Sequence, residues 1–242
     1  MRHFEAPALF LPGTLCDERI WMPLWKQLSF TDSNRCYVPL QWANDVEQML
    51  SLTFDRINRY SQPVHLVGFS MGGYIASLAA LDSRNVASLT LIGYNPIGLR
   101  KEEEQQRLSI IKAINNNSYS SMSKSRLAQF VTEQEIEDAT ITDVVTEMSV
   151  DLGPATLKTQ FIATTPRKDL TGRLTKLSIP IHFITAEHDK IANSASIKAL
   201  SDSLPHSRFD CLDDTAHMML LSRAELIAGL LLPDLQSSAN LG

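Results

Sequence analysis

The chain alternates between two spacings of apolar residues. Short apolar runs occur at Ala8-Leu9-Phe10-Leu11, Cys36-Tyr37-Val38, His65-Leu66-Val67-Gly68-Phe69 and residues 86–93, 180–185 and 207–212. Each reads as a strand, 36–38 being the weakest. Between them, apolar positions return every three or four residues, as one face of a helix requires. Ile20, Trp21, Leu24 and Trp25 mark a helix over 17–28, and Val46, Met49, Leu50, Phe54 and Ile57 mark one over 45–60. Ile75, Leu78 and Ala79 mark a third, over 74–81. Asn193 or Ser194 caps a helix reaching 204, and a last helix follows His217 to about 232, before a polar tail from Pro233. This alternation predicts a mostly parallel, doubly wound α/β sheet.

The alternation stops after Tyr94-Asn95-Pro96. Residues 100–114, 122–130, 133–149 and 154–163 carry helical patterns, with Asn115-Asn116-Asn117-Ser118 and Gly153-Pro154 as punctuation. A helical insertion taken as 97–166 therefore divides a core made of 1–96 and 167–242. It leaves the sheet at the carboxyl end of a strand, where open α/β sheets bind ligands, and that position makes it a cap (lid).

The run at 65–69 leads into Gly68-Phe69-Ser70-Met71-Gly72. A G-x-S-x-G spacing alone recurs by chance. Between a strand and a helix it describes a sharp turn that exposes a serine hydroxyl, with small neighbours leaving room for substrate. The Met71 amide opens the following helix, where it can donate to an oxyanion. Thr14, in the Pro12-Gly13-Thr14 turn after the first strand, offers a second amide opposite it.

A serine hydroxyl needs a base, and the base needs an orienting carboxylate. Ser70, Asp189 and His217 follow the order Ser, Asp, His, each just after a predicted strand, so their loops converge at one sheet edge. Rivals exist: His188 and Glu187 share the Asp189 loop, while Asp213 and Asp214 precede His217 and read as turn formers. His65 and His182 fall in strands, as core or edge residues, and His3 and His206 read as surface residues.

A chain of 242 residues suffices for one large domain, and 44% hydrophobic residues exclude a disordered chain. A formal charge of −5 leaves no electrostatic footprint for nucleic acid. Cys16, Cys36 and Cys211 are odd in number and far apart, which argues against a disulfide framework. No metal-ligand spacing and no nucleotide-binding glycine loop occur, so no metal or cofactor is expected. Met1 is not followed by a signal-like apolar core, and no run reaches membrane-spanning length. The expectation is a cytoplasmic protein acting on a small molecule, without a nucleic-acid or membrane partner.

On Gly68 to Gly73, Asp189 and His217, nearly the whole chain resembles the α/β-hydrolase superfamily. The resemblance is to small cofactor-free esterases, a group that includes biotin-pathway carboxylesterases and menaquinone-pathway lyases. It implies the α/β-hydrolase fold, with Ser70 as nucleophile, Asp189 as acid and His217 as base. The Thr14 and Met71 amides would form the oxyanion hole, and 97–166 the cap. The chain departs from the family pattern at Pro12, which replaces the histidine of His-Gly, and at Ala186 and Ala216, which replace glycines. Ser222-Arg223 stand where an acidic residue is common, and the glycine-rich loop after the second strand is missing from residues 37–42. The first strand lies almost at the start of the chain, which suggests a pared-down sheet. The implied activity is cleavage of a small carboxylic ester or thioester, free or carrier-linked, through an acyl-enzyme on Ser70. The same residues also suit a lyase or carbon–carbon bond hydrolase, or a non-catalytic ligand-binding protein on this scaffold.

Overall fold

The computed structural model describes residues 2–4, 6–30, 34–119 and 122–236. Its strands are β1 (Arg2–Phe4), β2 (Ala8–Leu11), β3 (Leu28–Phe30), β4 (Arg35–Tyr37), β5 (Val64–Phe69), β6 (Val86–Ile92), β7 (Ile181–Ala186) and β8 (Ser207–Leu212). Its α-helices are α1 (Met22–Gln27), α2 (Val46–Ile57), α3 (Met71–Asp82), α4 (Lys101–Asn115), α5 (Lys124–Leu127), α6 (Ala139–Ala163), α7 (Thr171–Leu174), α8 (Ser194–Ser203), α9 (Met219–Ser222) and α10 (Ala224–Gln236). Six strands form one sheet in the order β4-β2-β5-β6-β7-β8, and every pairing is parallel. This is the α/β-hydrolase fold.

Alternate residues of a strand face opposite sides of the sheet, and here both sides are covered. Phe10, Val67, Phe69, Ile92 and Ile184 pack with Leu24 of α1 and Leu231 of α10. Leu9, Leu11, Leu66, Leu91 and Phe183 pack with Met49, Ile75 and Ile197 from α2, α3 and α8. Burial on both faces is why the central strands read as mostly apolar runs.

The elements differ from the sequence expectation at several places, among them 133–149, where a 3₁₀ turn at Glu135–Glu137 precedes α6. The helix expected over 17–28 is a 3₁₀ turn at Glu18–Ile20 followed by α1, with Asp17 capping the turn. Leu28 already belongs to β3, which pairs with β1 in a separate parallel two-stranded sheet that periodicity does not reveal. Within 122–130 only the single turn α5 is α-helical. At the other end, α10 continues through Pro233, because Leu231 and Leu235 are four apart and both buried.

Between β6 and β7 the described residues form α4 to α7 and no strand. Gly153, at φ 73°, interrupts α6 where the sequence places a break. No described helix is long and apolar enough to cross a membrane.

The register brings the strand ends level, with Leu11 opposite Gly68, Phe69 opposite Ile92, Ile92 opposite Ile184 and Ala186 opposite Leu212. The loops after β2, β5, β7 and β8 therefore emerge along one edge, carrying Thr14, Ser70, Asp189 and His217.

Candidate active site

Ser70 joins β5 to α3 at φ 51° and ψ −114°. A non-glycine residue there costs about 1–3 kcal/mol and persists only when its surroundings enforce it. The Ser70 amide donates to Ile92 O at 2.9 Å, and Ser70 O accepts from the Gly73 amide at 2.9 Å. The adjacent glycines are close-approach positions. A Cβ on Gly72 would lie 2.0 Å from Leu11 O, and one on Gly68 would lie 2.5 Å from Gly72 O. The strand, the elbow and the first turn of α3 thus interlock through backbone alone.

Asp189 and His217 meet across the ends of β7 and β8. His217 Nδ1 donates to Asp189 Oδ2 at 2.8 Å, with both side chains buried. Asp189 Oδ1 accepts the amides of Ile191 at 2.8 Å and Ala192 at 2.9 Å. Phe69 and Phe130 lie beside the imidazole, with ring centroids at 5.0 and 6.1 Å. Gly93, at φ 56°, leaves room for it, since a Cβ there would sit 3.2 Å from His217 Cε1. Arg223 Nε donates to Thr215 Oγ1 at 3.1 Å and ties α9 to the His217 loop, so the departure at that position is a structural one.

Ser70, His217 and Thr14 line one cavity of about 130 Å³. Met71 is fully buried as the first residue of α3. Among the described residues neither the Thr14 nor the Met71 amide has a protein acceptor. Leu15, next to Thr14, adopts φ 51°, and its amide donates to Gln160 Oε1 at 2.9 Å. The turn carrying Thr14 is therefore held from α6.

The rivals lie elsewhere. His65 Nδ1 is 2.6 Å from Ser88 Oγ and His182 Nε2 is 2.8 Å from Asp210 Oδ2, both histidines being buried in strands. Glu187, His188, Asp213 and Asp214 are exposed and do not line the cavity, and Asp214 takes a turn conformation at φ 48°. Cys16 does line it, but burial and then the nearby Asp17 push its thiol up to about 12, so it is protonated at neutral pH. Sequence reasoning missed Phe130, Gln160 and Arg107. Gly93, a glycine ending a strand, carried a readable signal, whereas the other three carried none.

The comparisons agree with this architecture. The family model described as serine aminopeptidase, S33 matches residues 33–223. Monoacylglycerol lipase ABHD6 of Mus musculus is 23% identical over 195 residues, covering 74% of this chain and 56% of that protein. Its Xenopus laevis counterpart abhd6-B is 24% identical over 208 residues, covering 77% and 59%. The chain thus spans less than two thirds of the length of these relatives. A thermophilic esterase from Thermogutta terrifontis superposes with TM-score 0.83 at 17% identity, covering 98% of this chain and 92% of that one. MenH from S. aureus superposes with TM-score 0.75 at 18% identity, covering 97% and 95%. With the family model spanning most of the sequence, the chain belongs to the serine aminopeptidase S33 family of α/β-hydrolases.

Proposed function

We propose that the protein is a serine hydrolase that cleaves a small carboxylic ester or thioester through an acyl-enzyme on Ser70. The observation that carries this reading is the 2.8 Å bond between His217 and buried Asp189, at a cavity that His217 shares with Ser70. In the proposed mechanism His217 Nε2 takes the Ser70 proton as Oγ attacks the carbonyl carbon. The Thr14 and Met71 amides hold the tetrahedral oxyanion, where each donor is worth about 2.7–4 kcal/mol of barrier. Asp189 keeps the Nδ1 proton in place and stabilises the imidazolium. The leaving alcohol or thiol receives the proton from His217. Water, deprotonated by the same imidazole, then releases the acid. The helices after β6 serve as the cap over this cavity.

Esterase and lipase relatives support the bond type. The test is turnover of 4-nitrophenyl butyrate by wild type and Ser70→Ala, with labelling by a serine-directed fluorophosphonate. Ser70→Ala is expected to lower kcat on the order of a million-fold and to abolish labelling. Undiminished turnover in a folded Ser70→Ala protein would sink the mechanism.

A further inference from the structure

Two arginines reach the cavity wall from the helices after β6, Arg107 on α4 and Arg126 on α5. Arg126 Nη1 donates to Tyr119 Oη, and its guanidinium carbon lies 5.2 Å from that ring's centroid. Arg107 Nη1 donates to Thr164 O at 3.1 Å and to Thr164 Oγ1 and Thr165 Oγ1 at 3.2 Å each. Its guanidinium carbon lies 4.9 Å from the Phe161 centroid. All of these side-chain partners are neutral. Among the described residues no carboxylate is within ion-pair distance of either arginine, and Arg107 Nε and Nη2 have no acceptor. Glu103 also lines the cavity, but it accepts from the Arg100 amide at 3.0 Å and Arg100 Nε at 3.2 Å.

Arg19 shows what an unused guanidinium edge can do in this same protein. Its Nε and Nη2 clasp Asp17 at 3.0 and 2.6 Å, while Nη1 binds Asp151 at 2.8 Å. Arg107 divides its nitrogens in the same way. Nη1 anchors to Thr164 and Thr165, leaving the edge that suits a carboxylate. Burial and then the neighbouring Arg167 lower the Arg107 pKa to about 9, so it stays cationic at neutral pH. Glu103 and Glu104 act on Arg107 through space without outweighing burial, and a largely desolvated cation whose hydrogen-bond partners are all neutral is costly, a cost that an entering anion offsets. Glu103 is already paired with Arg100, and the free Nε–Nη2 edge of Arg107 is a planar fork that a carboxylate fits.

We propose that Arg107, with Arg126 beside the same cavity, binds a carboxylate of the substrate, so that the ester cleaved at Ser70 is an acidic one. Two sources of that carboxylate fit: a half-ester of a dicarboxylic acid, charged on the acyl side, and an ester of a hydroxy acid, charged on the leaving side. The bond cleaved rests on the hydrolase reading above, while the carboxylate site does not.

The test compares kcat/KM for monomethyl glutarate, 4-(butanoyloxy)butanoate and neutral methyl butyrate in wild type, Arg107→Met and Arg107→Lys, with released acid followed by titration. Arg107→Met is expected to lower kcat/KM for an acidic ester about 10- to 100-fold more than for methyl butyrate. Arg107→Lys, which keeps the charge but not the fork, should lose less, and the ester that responds identifies the charged side. Equal losses on all three esters would overturn the proposal. Should Arg107→Met fail to fold, the Arg107→Lys ratio against wild type decides by the same criterion. Calorimetric binding of monomethyl glutarate to Ser70→Ala, with and without Arg107→Lys, separates the two readings. The same titration is run with 4-(butanoyloxy)butanoate; binding of either ester weakened by the lysine supports the carboxylate site even if no ester is turned over, and binding that is absent or unchanged for both refutes it.

Discussion

Asp189→Asn tests the orienting role proposed for the carboxylate, because the structure dictates which way the new amide must point. Asp189 Oδ1 accepts two backbone amides, at 2.8 and 2.9 Å, and Oδ2 accepts His217 Nδ1 at 2.8 Å. An asparagine can keep its oxygen toward Ile191 and Ala192, which turns its NH₂ to the imidazole. The reverse orientation sets NH₂ against two amide donors and leaves both unpaired, at about 1–3 kcal/mol each, or roughly 2–6 kcal/mol together. The first orientation therefore prevails, and His217 Nδ1 must accept instead of donate. The imidazole proton then sits on Nε2, where it cannot receive the proton of Ser70. A base held in the wrong tautomer loses about 10⁴ in kcat, which is about 5.5 kcal/mol of barrier.

The assay is kcat for 4-nitrophenyl butyrate, alongside thermal unfolding and a ¹⁵N measurement of the His217 tautomer. Asn is nearly isosteric with Asp and retains both amide bonds, so the expected stability loss is below about 1 kcal/mol. Asp189→Ala deprives both amides of their acceptor and should destabilise by about 2–4 kcal/mol. A kcat for Asp189→Asn within tenfold of wild type would refute the reasoning, as would equal stabilities of the two variants.

Two more outcomes are expected. Gln160→Ala should lower kcat about 10- to 100-fold with little change in KM, because the Leu15 amide loses this acceptor and the turn bearing Thr14 loosens. Gln160→Glu, which keeps an acceptor oxygen, should recover most of that loss, and equal activity of the two variants would refute a positioning role. The Cys16 thiol, pushed up to about 12, should resist iodoacetamide at pH 8 in the folded protein while exposed Cys211 reacts. Its folded pKa lies above the unfolded value of 9.0, so its neutral form contributes fully below pH 9. Stability then falls between pH 9 and 12, by up to about 1.4 kcal/mol per pH unit. The stability difference between wild type and Cys16→Ala in denaturant titrations should stay constant below pH 9 and change only over that window.

Strands buried on both faces were legible because they are mostly apolar, as residues 64–69 show, where His65 is the one polar side chain. The same spacing misled where burial arises without a helix. Leu127 and Phe130 lie three apart, and with Met122 they pack against one core, yet only Lys124–Leu127 is α-helical. Periodicity reports which residues are buried, and helix is an inference from it. Strands β1 and β3 escaped for a related reason. Each has three residues, and Leu28 continued the apolar spacing of the helix before it. Ser70, Asp189 and His217 were legible as candidates because each needs a particular side chain in a particular loop.

Three contacts joining the α4–α6 segment to the sheet loops have no such signature, since at least one partner in each is backbone. The Leu15 amide donates to Gln160, the Met218 amide to Phe130 O, and Lys190 Nζ to Ala128 O at 3.0 Å. Any residue but proline supplies an amide, and any residue at all supplies a carbonyl, so no residue type marks these positions in advance. Yet these bonds reach the neighbours of Thr14, His217 and Asp189 in turn. A shift of the inserted helices would therefore reach the Thr14 turn and the Asp189 and His217 loops without altering any of their side chains. Arg107 follows the same logic: among the charges of residues 100–114 it reads as part of a solvated face. Its role emerges only when Thr164 and Thr165, more than fifty residues away, are seen to hold one side of its guanidinium.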